Sequence, residues 1–124
     1  SDLPWQEWVY QEKYRFLSNL PDNTTSDRMR ELDTKWAISG TGNNEVLFAW
    51  LEQAIRSNDI ESFPRLRTFL VQIGRRKFLT PLYRAMIETG KKELALTIYE
   101  EARANYHSVA TATIDELLGV TGER

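Results

Sequence analysis

The clearest candidate for chemistry in this sequence is a run of three cations, Arg75-Arg76-Lys77, between Gly74 and Phe78. Arginine presents a planar fork that can pair with both oxygens of a carboxylate, and lysine adds a compact second charge. Together these side chains could hold one end of an anionic ligand. A basic run of this length is also typical of a solvated loop, and residue chemistry alone leaves both interpretations open.

The sequence contains no residue set for metal or nucleophilic catalysis. A catalytic zinc site takes three protein ligands, usually including histidine, but the chain has one histidine, His107, and no cysteine. We expect His107, at a junction between helices, to be a structural or capping residue. No Gly-x-Ser-x-Gly motif occurs, and Gly40-Thr41-Gly42 lacks the lysine of a phosphate loop. We therefore predict no catalytic residue, no metal ligand and no cofactor in this chain.

The apolar residues recur at intervals of three and four, which predicts helices joined by turns. We expect a first helix over residues 3–20, capped by Asp2 and ended by Pro21. A second helix is expected with its N-cap near Ser26, and a third, central helix follows the N-cap candidate Asn43. The four tryptophans lie at helical spacing and are expected in the core: Trp5, Trp8, Trp36 and Trp50.

The cationic run is expected to lie in a loop. A fourth helix ends at Gly74, a natural C-terminal stop. Thr80 followed by Pro81 is a strong N-terminal signal, because threonine caps a helix and proline is tolerated at its first position. We therefore predict that residues 75–79 form a loop and that the fifth helix begins after them.

Two further helices complete the prediction, one over residues 91–106 and one over 108–119, and residues 120–124 are expected to fray. No strand-like alternation occurs. The fold class predicted is all-α: six to seven short antiparallel helices in an irregular, solenoid-like α-α superhelix. At 124 residues the chain is expected to form a single helical domain, residues 1–124.

Composition limits the classes of partner. The chain is 41% hydrophobic and 27% charged, as soluble globular proteins are, and its net charge of -2 provides no field to attract nucleic acid or an anionic membrane. No apolar run approaches the ~20 residues of a membrane helix. We predict neither nucleic-acid nor membrane partners and expect a cytoplasmic location. The start at Ser1 resembles that of an excised domain, so export of a longer parent stays open.

The stretch from Asn43 to Leu82 reads NNEVLFAWLEQAIRSNDIESFPRLRTFLVQIGRRKFLTPL. It resembles the C-terminal helical domain of leukotriene A-4 hydrolase and its aminopeptidase relatives. The most specific portions are NNEVLFAWL and GRRKFLTPLY, and a weaker similarity extends to YHSVA at residues 106–110 and to LPDNTTSDRMRELDTKW. The resemblance covers most of the chain.

This resemblance implies a zinc aminopeptidase parent with an N-terminal β domain, a thermolysin-like catalytic domain that holds the zinc, and this helical domain closing one side of the substrate cleft. It also implies that Arg75 and Lys77, which match the family's GRxKF loop, bind the carboxylate of a peptide substrate, with Arg76 as support. Because Arg76 and Ser108 depart from the family pattern, the substrate preference and any epoxide hydrolase activity stay open.

Two hypotheses of different class follow. The first is an accessory domain, not catalytic alone, whose partners are the other domains of its parent and a substrate carboxylate. The second is a stand-alone helical module that binds a partner peptide or protein in a groove unrelated to residues 75–77. The oligomeric state and the orientation of Arg75 and Lys77 are not determined by the sequence.

Overall fold

A computed structural model describes residues 4–120, and this part of the chain contains seven α-helices and no strand. The all-α prediction is therefore confirmed. The helices are α1 Tyr10–Ser18, α2 Ser26–Trp36, α3 Asn44–Arg56, α4 Phe63–Gln72, α5 Arg76–Glu88, α6 Lys92–Ala102 and α7 Ser108–Leu118. Short 3₁₀ turns lie at Trp5–Glu7, Ile38–Gly40, Ile60–Ser62 and Arg103–Asn105. None of these helices is long and apolar enough to span a membrane.

The chain divides into two compact units, Ser1–Phe63 and Pro64–Arg124. The prediction of one domain stays a prediction. Asp2 and most of the tail expected to fray lie outside the described residues.

Helix α3 is the centre of the first unit, as its sequence predicts. Eight of its side chains are buried: Val46, Leu47, Phe48, Ala49, Trp50, Leu51, Ala54 and Ile55. Asn43 caps the helix, because its side-chain oxygen accepts a hydrogen bond from the N–H of Val46 at 3.0 Å. In α2 the cap is Thr25, one residue before the predicted position, and its hydroxyl accepts from the N–H of Arg28.

The predicted first helix is wrong as one continuous element. A 3₁₀ turn at Trp5–Glu7 is separated from α1 by two residues with extended backbones, Trp8 and Val9. The carboxylate of Glu12 accepts a hydrogen bond from the N–H of Val9 at 3.1 Å, which fixes the new helix start. Trp5, in the separate turn, is buried and stacks on Trp36 with ring centroids 4.9 Å apart.

A partly buried ion pair links α2 to the turn after α3. The guanidinium of Arg30 donates to both oxygens of Asp59, at 2.9 and 2.7 Å, and to the hydroxyl of Ser62. Ser62 in turn donates to Asp59 and accepts from the indole N–H of Trp50. Since Asp59 is only 1% exposed, this pairing satisfies a carboxylate that burial would otherwise make costly.

The second unit is built on α5, which packs against α6 and α7. Two helices of this unit are followed by glycines with positive φ, Gly90 after α5 and Gly119 after α7, as is common at helix C-termini. The sixth helix ends earlier than predicted, at Ala102, and the chain continues as the 3₁₀ turn Arg103–Asn105.

Candidate carboxylate-binding site

The three cations of the basic run lie at the N-terminal end of α5. Arg75 is the N-cap residue, with an extended backbone, and Arg76 and Lys77 are the first two residues of the helix. All three side chains are exposed. Within residues 4–120, no acidic side chain lies within ion-pair distance of Arg75. The charge of Arg75 is therefore presented to solvent at a fixed place in the fold.

The prediction of a loop over residues 75–79 is wrong. Only residues 73–75 separate α4 from α5, and Pro81 lies inside α5 rather than at its start. The reason is burial, because Phe78 and Leu79 are only 2% and 0% exposed and continue the apolar face of the helix. Their burial extends the helix upstream of proline, although Pro81 cannot donate a backbone hydrogen bond.

The ring of Phe78 lies beneath two of the cations. The guanidinium carbon of Arg75 is 5.8 Å from the ring centroid, and the Nζ of Lys77 is 5.0 Å from it. Both distances fall within the range of cation–π attraction. The ring itself packs edge to face against Phe69 of α4, with centroids 5.7 Å apart. Arg75 and Lys77 therefore share one aromatic support that is anchored in the core.

Hydrogen bonds fix the end of α4, directly before the turn that carries Arg75. The hydroxyl of Tyr106 donates to the carbonyl oxygen of Leu70 at 2.6 Å. The side-chain amide of Asn105 donates to the carbonyl of Val71 at 3.2 Å. Carbonyls at a helix C-terminus lack intrahelical donors, so these two side chains supply what the last turn of α4 needs.

The same hydroxyl links α5 into this arrangement. The hydroxyl oxygens of Tyr83 and Tyr106 lie 3.1 Å apart. Because the single proton of Tyr106 goes to Leu70, Tyr83 is the donor of this bond. Burial raises the pKa of Tyr106 to about 12, and burial also raises the pKa of Tyr83 strongly. The two hydroxyls thus stay neutral and hydrogen-bonded across the physiological range.

His107 lies at the N-cap position of α7 and is exposed, but its side chain makes no capping hydrogen bond. The predicted location at a helix junction is confirmed, whereas the predicted capping bond is absent. Within residues 4–120 no group of three or more His, Cys, Asp and Glu side chains is arranged to hold a metal ion. The described residues therefore offer no donor set that fits zinc.

Comparison with known proteins identifies the family. Residues 8–118 match the model of the family described as leukotriene A4 hydrolase, C-terminal. The chain belongs to this family. Proteins named leucine aminopeptidase 2 are similar to it: that of Pyricularia oryzae is 28% identical over 94% of this chain, and that of Kluyveromyces lactis is 32% identical over 93%. These matches cover 19% and 20% of the two relatives, so the chain spans about a fifth of their length.

The segment that matches the leukotriene A4 hydrolase C-terminal family includes most of both compact units. It includes Arg75, Arg76 and Lys77, and the resemblance seen in the sequence is therefore confirmed at the level of the family. The roles of the three cations are not tested by the match.

One polar cluster of this family member was missed by sequence reasoning. Arg103 pairs with Asp115 through two hydrogen bonds of 3.1 and 2.8 Å, and Tyr99 donates to the same carboxylate at 2.5 Å. Hydrogen bonding to Asp115 raises the pKa of Arg103, and burial raises that of Tyr99. The partner of Arg103 lies twelve residues further along the chain, on α7, so local spacing in the sequence does not indicate this pair.

Each unit also has open grooves apart from the cationic run. In the second unit a groove of about 640 Å³ is lined by Leu96, Thr97, Tyr99, Glu100, Arg103, Ala104 and Val120. In the first unit a groove of about 460 Å³ is lined by Trp8, Glu12, Arg15, Phe16, Asn19, Leu20 and Pro21. Neither groove includes residues 75–77 among its lining residues.

Proposed function

We propose that this chain is the accessory C-terminal domain of a leukotriene A4 hydrolase-like zinc aminopeptidase. In this proposal the domain closes one side of the substrate cleft, and Arg75 and Lys77 bind the carboxylate of a peptide substrate. Arg76 adds a third positive charge. The observation that carries the proposal is the exposed pair of cations at the start of α5, on one aromatic support, inside the segment that matches the family.

The chemistry of the pair suits a carboxylate. A guanidinium and an ammonium provide charge-assisted hydrogen bonds, each worth about 1.5 to 3 kcal/mol to binding when partly desolvated. The α5 N-terminus adds the positive end of a helix dipole, which also favours an anion. A free C-terminus of a short peptide is the anion that an aminopeptidase, cleaving from the other end, would bring to such a site.

The zinc of the proposed parent lies elsewhere. The described residues contain no ligand set for it, and the relatives named as leucine aminopeptidases are about five times as long as the matched segment. We therefore place the metal and the catalytic groups in other domains of the parent. The domains of the same chain are then the partners of this one.

The test compares one peptide in two forms in the full-length parent. We expect Arg75→Ala to lower kcat/KM for Leu-Gly-Gly about tenfold or more, because at least one charge-assisted bond is lost. The same change should leave Leu-Gly-Gly-amide nearly unaffected, since the amide lacks the negative charge. Lys77→Ala should act in the same direction.

Arg67→Ala is the matched control. Arg67 is an exposed arginine of the same unit that pairs with Glu101 on the surface. Its removal changes the net charge equally but should not alter the ratio of kcat/KM between acid and amide. Equal losses on both peptide forms after Arg75→Ala would show that the carboxylate role is wrong.

The stand-alone interaction module is the second hypothesis from the sequence. It requires that the chain bind a partner through a groove unrelated to residues 75–77, and the two grooves described above are such surfaces. The family match and the length of the relatives favour the accessory domain. Binding of a separate protein to this chain, with no aminopeptidase domain in the parent, would favour the module instead.

A further inference from the structure

We propose that Phe78 is a positioning residue that sets the preference of the site for a free carboxylate. In this inference its ring holds Arg75 and Lys77 in the orientation that binds the ligand. The inference rests on the proposed function, because it assigns a cause to the geometry of that same site.

The ring of Phe78 is fixed, whereas the cations above it are exposed. Phe78 is 2% exposed and packs edge to face against Phe69, which is also 2% exposed. Arg75 and Lys77 lie in solvent at 5.8 and 5.0 Å from the ring centroid. A side chain of the core therefore contacts two long surface side chains that would otherwise sample many rotamers.

An aromatic ring affects a bound cation differently from an acidic side chain. A carboxylate partner would hold Arg75 equally well, but it would neutralise the charge and occupy the N–H donors. An aromatic face attracts the cation through its quadrupole and carries no net charge. The ring can therefore orient Arg75 while leaving its charge and its donors for a ligand.

Side chains that are oriented before the ligand arrives bind it with higher affinity. Long side chains lose rotamer freedom when a ligand fixes them, and that loss weakens binding. A ring that already restricts Arg75 and Lys77 reduces the loss for both cations together. The effect should appear only with a ligand that uses these cations, that is, with the free acid and not with its amide.

The sharpest test changes the electronics of the ring and keeps its shape. In the full-length parent, Phe78 is replaced by mono-, di- and trifluorophenylalanine, which progressively weaken the quadrupole. We expect the ratio of kcat/KM for Leu-Gly-Gly over Leu-Gly-Gly-amide to fall stepwise, by about threefold or more at trifluorophenylalanine. The fall should lie in KM for the acid, with kcat unchanged, because the contact acts on binding.

A pair of matched variants separates positioning from packing. Phe78→Leu and Phe69→Leu remove rings of equal burial that touch each other, but only Phe78 lies beneath Arg75 and Lys77. Both variants should unfold more easily. Only Phe78→Leu should reduce the acid-to-amide ratio, by roughly three- to tenfold.

The Arg75→Ala variant distinguishes failure of this inference from failure of the proposed function. If Arg75→Ala leaves the acid-to-amide ratio unchanged, the site does not bind a carboxylate, and both the proposed function and the role of Phe78 are wrong. If Arg75→Ala abolishes the preference while the fluorinated series and Phe78→Leu leave it intact, the proposed function stands and the role of Phe78 is wrong. Equal losses of kcat/KM for the acid and the amide in Phe78→Leu, without a trend in the fluorinated series, would likewise show that Phe78 acts only through core packing.

Discussion

Replacing Tyr106 with phenylalanine removes a single oxygen atom, but two buried groups depend on it. The carbonyl of Leu70 accepts from the Tyr106 hydroxyl at 2.6 Å, and the hydroxyl of Tyr83 donates to it at 3.1 Å. Each buried polar group left without a partner costs about 1 to 3 kcal/mol. We therefore expect Tyr106→Phe to lower the free energy of unfolding by about 2 to 4 kcal/mol.

The direction of the hydrogen bonds makes the reciprocal change much milder. Tyr83→Phe leaves the bond from Tyr106 to Leu70 intact and leaves no donor without an acceptor. It should therefore lower the free energy of unfolding by only about 0.5 to 1.5 kcal/mol. This order of the two costs is the opposite of what burial alone would predict, because Tyr83 is 0% exposed and Tyr106 is 8% exposed. In the background of Tyr106→Phe, the change Tyr83→Phe should be neutral or stabilising, since it removes a hydroxyl that has already lost its acceptor.

Urea unfolding of the four proteins (the parent sequence, two single variants and the double variant) measures these terms. The signal should be far-ultraviolet circular dichroism, because the four tryptophans lie in the first unit whereas this cluster lies in the second. Additive losses in the double variant, or an equal loss from Tyr83→Phe and Tyr106→Phe, would refute the assignment of Tyr83 as the donor to Tyr106 and of Tyr106 as the donor to Leu70.

Two further predictions concern charge. Burial raises the pKa of Tyr106 from 10.0 to about 12 and also raises the pKa of Tyr83 and Tyr99, so above pH ~10 the unfolded chain releases protons that the folded chain keeps. The contribution of these tyrosines to stability should thus be constant from neutral pH to about 10 and fall at higher pH, by up to ~1.4 kcal/mol per pH unit for each tyrosine. In urea titrations the Tyr83→Phe/Tyr106→Phe variant should show a shallower fall above that pH. Arg76→Glu should raise the free energy of unfolding by about 0.3 to 1 kcal/mol, because an acid suits the first turn of a helix, and should lower the acid-to-amide ratio of the parent enzyme. A gain in that ratio, or a loss of stability in urea, would contradict this account of Arg76.

Helix α3 was predictable because independent signals in its sequence agree. Its apolar residues recur over three turns, and Asn43 supplies a capping side chain directly before them. The start of α5 was not predictable in the same way, because two signals disagree. Thr80-Pro81 indicates a helix start, whereas Phe78 and Leu79 continue the apolar face upstream, and the energy of burying two large side chains outweighs the local preference.

The candidate site was predictable in part. Arg75 and Lys77 could be named from the resemblance to the family, and the family is confirmed. The ring contact could not be predicted, because it depends on the helical register of Phe78, which the sequence assigned to a loop. The hydrogen bonds of Tyr106 and Asp115 join residues that are between 12 and 36 positions apart, and no local spacing indicates such pairs.

The corrected helix start changes the electrostatics of the site. In four other helices the first turn carries an acid that suits the positive end of the helix dipole: Glu12, Asp27, Glu45 and Glu93. Helix α5 has no acid in its first turn and begins instead with three cations. Positive charges interact unfavourably with the positive, N-terminal end of the helix dipole. An anionic ligand there would offset both this interaction and the mutual repulsion of the cations.

A helix start with this charge pattern needs another source of stability, and the next two residues provide it. Burial of a large apolar side chain contributes about 1.5 to 3 kcal/mol, whereas an unfavourable charge near a helix end costs about 0.3 to 1 kcal/mol. Phe78 and Leu79 together therefore offset the three charges that precede them. Because the buried pair follows the cations directly, the contact that keeps the helix formed at Arg76 also keeps Arg75 and Lys77 at the surface, ready to meet an anion.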